Sequence, residues 1–156
     1  MENLENMEKI EALQTELGQF LVSIIPVPWE KICFYADCLP GTSSIWYAMI
    51  EHETNLIITS GPFWKRYESY PFSEEDVTEK LLDLALDLYN AYSARFGQDN
   101  AWRTMYYTIQ SDGKMQLDFE NALPPGDLVE QQNAVYRKFF DCERKKSPKG
   151  KYPATE

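Results

Sequence analysis

Residues 31–59 read KICFYADCLPGTSSIWYAMIEHETNLIIT, and this stretch decides the fold. Over Lys31–Leu39, Ile32, Phe34 and Ala36 alternate with Cys33, Tyr35 and Asp37, the two-residue period of a strand. Leu39-Pro40-Gly41-Thr42 follows as a turn signal. Ser43–Glu51 is rich in β-branched and aromatic residues, with Ile45, Tyr47 and Met49 on one face and Trp46, Ala48 and Ile50 on the other. Two apolar faces predict an interior strand covered on both sides. His52-Glu53-Thr54-Asn55 makes the next turn, and Leu56–Thr59 is a third strand. Short turns between short strands predict an antiparallel meander.

The flanking sequence supplies helices and a second hairpin. Residues 2–25 carry Leu4, Met7, Ile10, Leu13, Leu17, Phe20, Leu21 and Ile24 at three- and four-residue steps, a helical stripe stopped by Pro26 and Pro28. Residues 60–72 read as an irregular aromatic loop over the sheet. There Phe63, Trp64, Tyr67, Tyr70 and Phe72 surround Lys65 and Arg66, an interleaving that can also bind nucleic acid. Ser73 caps a long helix whose inward stripe is Val77, Leu81, Leu84, Leu88 and Tyr92, widened by Ala85 and Phe96 and stopped by Gly97. Trp102–Gln110 and Lys114–Glu120 are strands joined by Ser111-Asp112-Gly113-Lys114, a hairpin signal. Met115, Leu117 and Phe119 are expected inward, with Gln116, Asp118 and Glu120 outward. A last helix starts after Pro124-Pro125-Gly126-Asp127 and runs to about Glu143, with Leu128, Val135, Phe139 and Cys142 inward. The expected fold is α+β: an antiparallel sheet, built from a three-stranded meander plus a hairpin, packed with an N-terminal, a long central and a C-terminal helix. Residues 1–143 form one domain, and 144–156 a basic, disordered tail.

The 156 residues are long enough for a core that needs neither disulfides nor metal. The net charge of −10 is uneven: residues 1–140 hold 22 acids and 10 bases, a charge of −12. Such a domain repels phosphate backbones, which speaks against direct nucleic-acid binding, and attracts basic proteins. Three cysteines without tight spacing fit a reducing compartment. The acidic N-terminus lacks a signal-peptide pattern, and no stretch approaches the ~20 apolar residues of a membrane span. The expectation is a soluble cytoplasmic protein.

Chemistry-bearing constellations are sparse. No phosphate-cradling glycine loop or nucleophile elbow is present. Cys33 or Cys38 with His52 is conceivable as a thiol–imidazole pair, but nothing marks either thiol as activated. Asp118 and Glu120, near Asp112, point the same way on a strand and suit a hydrolytic pair or a metal. Their plainer reading is a turn residue and a wet strand face. No cofactor is implied.

Glu75, Glu79, Asp83 and Asp87 stand four residues apart on the central helix. Like charges at that spacing repel by a few tenths of a kcal/mol per pair. Either the ladder is a solvated face or it is a docking surface for a basic partner. Trp64 and Tyr67 are candidate aromatic anchors beside it.

Ile25-Pro26-Val27-Pro28-Trp29-Glu30-Lys31 leads from the first helix into an aromatic strand with Tyr35. An acidic helix ending near Phe96 follows, then Trp102, the Ser111–Lys114 turn and Leu117-Asp118-Phe119. In this order and spacing, residues 10–122 resemble the YezG-like antitoxin or immunity-protein family of bacterial polymorphic toxins. The resemblance implies a cytoplasmic, non-catalytic protein that binds and neutralises a cognate secreted toxin, often a nuclease. The implied partner is a basic toxin domain, met through the acidic surface. A non-toxin scaffold or chaperone-like module shares the same fold and charge.

Overall fold

The computed structural model describes residues 2–39, 42–67, 73–97, 101–122 and 124–146. In chain order the elements are α1 (Glu2–Ser23), β1 (Trp29–Leu39), β2 (Thr42–Glu51), β3 (Ile57–Thr59), α2 (Ser60–Arg66), α3 (Glu74–Phe96), β4 (Thr104–Gln110), β5 (Met115–Glu120) and α4 (Leu128–Lys146). The fold is α+β, as the alternation predicts. The meander and the hairpin merge into one antiparallel sheet of order β3-β2-β1-β4-β5, because β4 pairs with the free edge of β1. The first strand read from the sequence is therefore the middle of the sheet, and β2 is interior, as its two apolar faces require.

Register follows the side-chain alternation. Tyr47, Phe34, Tyr107 and Leu117 lie opposite one another across four strands, and Trp46, Tyr35, Tyr106 and Asp118 form the next row, on the other face. The first row lies beneath α1 and α3. Tyr107 Oη donates to Gln14 O of α1 at 3.2 Å, and Phe119 of β5 meets Tyr92 of α3 at 4.8 Å between ring centres. The second row lies beneath α4, where Phe139 stacks on Trp46 at 6.0 Å and meets Tyr106 at 5.6 Å. The core thus fills both gaps of a three-layer stack. Each fully buried Leu, Ile or Phe, such as Leu17, Leu21, Ile32, Phe34, Leu81 and Phe140, contributes roughly 1.5–3 kcal/mol through area removed from water.

Several expectations need correction. Residues 60–66 form a helix where an irregular segment was expected. Pro62 stands in the first turn, where its missing N–H costs no bond, and the three- and four-residue steps from Phe63 and Trp64 to Tyr67 set the rings toward the sheet. Phe96, expected inward, is 41% exposed at the end of α3, where its ring meets Tyr92 and Arg95. Met7 at 42% and Met115 at 55% are exposed too, Met115 on the outermost strand. Leu117 and Phe119 are half-buried, with Gln116, Asp118 and Glu120 outward as expected. Trp102 precedes β4 instead of belonging to it, and is buried against Tyr89 and Phe119. The last helix runs to Lys146, three residues beyond its expected end. Pro40-Gly41, Tyr70, Phe72 and tail residues 147–156 lie outside the described residues, as do the side chains of Leu4, Leu128 and Cys142.

Candidate partner-docking surface

The α3 helix is fixed at both ends. Ser73 Oγ accepts from Asp76 N at 3.1 Å, and Gly97 adopts a φ of 89° that a side chain would resist. Val77, Leu81, Leu84, Ala85, Leu88 and Ala91 bury one stripe of it. The 3.6-residue period then carries Glu75, Glu79, Asp83 and Asp87 outward, and all four are exposed. None of the four has an ion-pair partner among the described residues. Lys80, one position off the ladder, turns to Glu16 of α1 at 3.2 Å.

That pair links the ladder to a second acidic surface. Glu8, Glu11 and Glu16 line an open groove along α1 with Thr15 and Gln19. In the sequence these acids are merely the positions left over by the apolar stripe. Their nearness to the ladder depends on α1 packing against α3, which no local pattern reports.

Trp64 and Tyr67 have structural employment. Trp64 Nε1 donates to Tyr47 Oη at 2.6 Å, and Tyr67 Oη donates to Glu51. Burial raises the Tyr47 pKa to about 12, offset in part by the Trp64 bond and reinforced by Glu74 in the first turn of α3. The Trp64 and Tyr67 side chains are half-buried in the seam between α2 and the sheet.

Other constellations stay apart. Cys33 and Cys38 are buried thiols on opposite faces of β1. Burial and the neighbouring Asp37 push the Cys38 thiol up to about 12, the reverse of activation. His52 pairs with Glu30 instead of with a thiol. Glu120 pairs with Lys138 at 3.4 Å, and Asp118 accepts from Gln116 Nε2 at 2.8 Å. No group of three His, Cys, Asp or Glu suited to a metal occurs among the described residues. No described helix is long and apolar enough to cross a membrane.

The model of the family described as "Immunity protein YezG-like" matches residues 10–146, from the third turn of α1 to the end of α4. The chain belongs to the YezG-like immunity protein family. The match takes in α4, which the resemblance over residues 10–122 left out. A curated relative, Immunity protein YezG of Bacillus subtilis (strain 168), is 28% identical over 105 residues, covering 66% of this chain and 67% of that protein. In this YezG-like chain the acidic ladder is exposed, and the family it belongs to carries an immunity description.

Proposed function

We propose that this chain is a non-catalytic immunity protein that neutralises a cognate protein toxin by stoichiometric binding in the cytoplasm of the producing cell. Membership of the YezG-like immunity family carries the reading. The exposed acids Glu75, Glu79, Asp83 and Asp87, unpaired among the described residues, supply a docking face for a basic toxin domain, with Trp64 and Tyr67 as the aromatic anchors of the contact. A nuclease is the toxin class that fits best, because an enzyme that holds phosphates needs a basic surface. An inhibitor that covers such a surface gains both encounter rate and pairing energy from complementary charge.

The experiment is to isolate the native complex from the producing cell, identify the bound protein, and titrate its toxic activity with purified chain. Inhibition saturating at one equivalent is expected. The double reversal Glu79→Lys/Asp83→Lys should fold normally yet associate about tenfold more slowly at low salt, with a shallower salt dependence than wild type. Unchanged association and protection by the reversal would remove the ladder from the interface. Absence of any toxic partner would remove the immunity reading itself.

A further inference from the structure

A second candidate contact lies on the opposite side of the sheet from the ladder. Between β1, β2 and α4 is a cleft of about 170 Å³. Tyr35, Asp37, Ser44 and Trp46 line it from the sheet, and Gln131 and Gln132 from α4. An engineered cavity of about 150 Å³ accepts benzene, whereas drug-sized ligands occupy roughly 300–1,000 Å³. The cleft therefore has room for one side chain and is too small for a nucleotide.

Its chemistry selects the charge of that side chain. Asp37 Oδ2 accepts from Tyr35 Oη at 3.1 Å and from Ser44 Oγ at 2.7 Å, which holds the carboxylate in place. A carboxylate has about four lone-pair sites, so two hydrogen bonds leave it acceptor capacity. Asp37 has no ion pair among the described residues. Trp46 lines the same cleft, its ring stacked on Phe139 and edge-on to Phe140 at 6.4 Å. Two cations on this side of the sheet are engaged elsewhere. Lys31 Nζ donates to Phe139 O at 2.7 Å and lies 5.4 Å from the Phe140 ring centre, while Lys138 pairs with Glu120 and covers Tyr106 at 4.7 Å. An anion entering the cleft would meet Asp37 head-on. An apolar group would strip water from the carboxylate and return nothing. A guanidinium or ammonium satisfies both the carboxylate and the ring.

We infer that the cleft bounded by Tyr35, Asp37, Trp46 and α4 receives one cationic side chain, an arginine or lysine, of the protein that this chain binds. The inference rests on the proposed partner-binding role but not on the ladder, which lies in the helix layer on the other face of the sheet.

The test begins without the partner. The full chain is titrated with N-acetyl-argininamide, N-acetyl-lysinamide and the neutral N-acetyl-norleucinamide while the Trp46 indole N–H resonance is followed by NMR, assigned with Trp46→Phe. Saturable shifts with a Kd of about 1–50 mM are expected for at least one cationic probe, at least about fivefold tighter than for norleucinamide. Asp37→Asn, which keeps an acceptor for Tyr35 and Ser44, should weaken the cationic probe at least about fivefold. Ser44→Lys, at an exposed position, provides a tethered ammonium and should abolish probe binding even if the Asn variant does not fold. Linear shifts up to about 100 mM, or equal response to norleucinamide, overturn the inference. So does probe binding unchanged in both variants. With the isolated partner in hand, Ser44→Lys should raise its Kd at least about tenfold. A partner that binds Ser44→Lys as tightly as wild type removes the cleft and leaves the immunity reading standing. A chain that captures the probe but no toxin removes the immunity reading alone.

Discussion

Glu51 ends β2, and its carboxylate gathers more polar contacts than any other group described above. It accepts from Arg66 Nε at 2.5 Å and Nη2 at 2.7 Å, from Thr54 Oγ1 at 2.5 Å, and from Tyr67 Oη. Burial alone would raise its pKa, but the hydrogen bonds from Arg66, Thr54 and Tyr67 and the Arg66 charge outweigh burial and hold it at about 2. A carboxylate whose pKa is depressed on folding stabilises above its unfolded pKa of about 4.3, and that stability is lost as pH falls toward 2. Glu51→Gln should therefore cost about 2–3 kcal/mol at pH 7, discounted for the partly exposed Arg66. In urea unfolding, the gap between variant and wild type should close between about pH 4 and pH 2. A gap that stays constant across that range would show that Glu51 acts by shape alone. Nothing in the sequence singles Glu51 out. It is the last residue of a strand, and Arg66 lies fifteen positions on, in a segment whose sequence reads as an irregular aromatic loop. The contact exists because α2 folds back over the end of β2, a tertiary event without a local signature.

At the scale of elements, the patterns that were legible are those with a strict period. The alternations in 31–39 and 43–51 put the correct residues on each face of β1 and β2, and the three- and four-residue steps of α1 and α3 found most of their buried stripes. Capping residues Ser73 and Gly97 and the Asp112-Gly113 turn stand where expected, with Gly113 at a φ of 93°. What was not legible depends on close approach. Gly18 sits mid-helix in α1, where a Cβ would lie 2.6 Å from Tyr107 Oη and 3.2 Å from Met115 Cε. A small residue at this point lets the helix settle on β4. Gly18→Ala gains about 1 kcal/mol of helix propensity but forces apart a buried tyrosine held by Gln14 O. The net effect should be a loss of about 1–2 kcal/mol. Adding Tyr107→Phe removes the clashing oxygen, so the double variant should be more stable than Gly18→Ala alone. Additive losses in the two single variants and the double would place the cost elsewhere.

For the whole molecule, the distribution of charge costs the free state what it would return in the proposed complex. Among Glu75, Glu79, Asp83 and Asp87, three neighbouring pairs repel along one face of α3. Glu79→Lys turns two of those repulsions into attractions and should stabilise the unbound chain by about 0.5–1 kcal/mol, measured by urea unfolding at low salt. The same change should weaken the proposed toxin complex. An unstabilised Glu79→Lys chain would mean that solvent already screens the ladder completely. Added salt should also raise the stability of this acidic wild-type chain, an effect smaller in the variant.

Cys33 and Cys38, one on each face of the middle strand, turn the three-layer stack into a device for timing its own openings. Both are shielded in the closed protein, so a thiol reagent reaches them only when a layer lifts. With each retained as the sole cysteine in turn, the labelling rate of Cys33 follows departures of α4, and that of Cys38 departures of the α1–α3 layer. A partner seated in the α4 cleft should slow the first clock, and one lying along α3 the second.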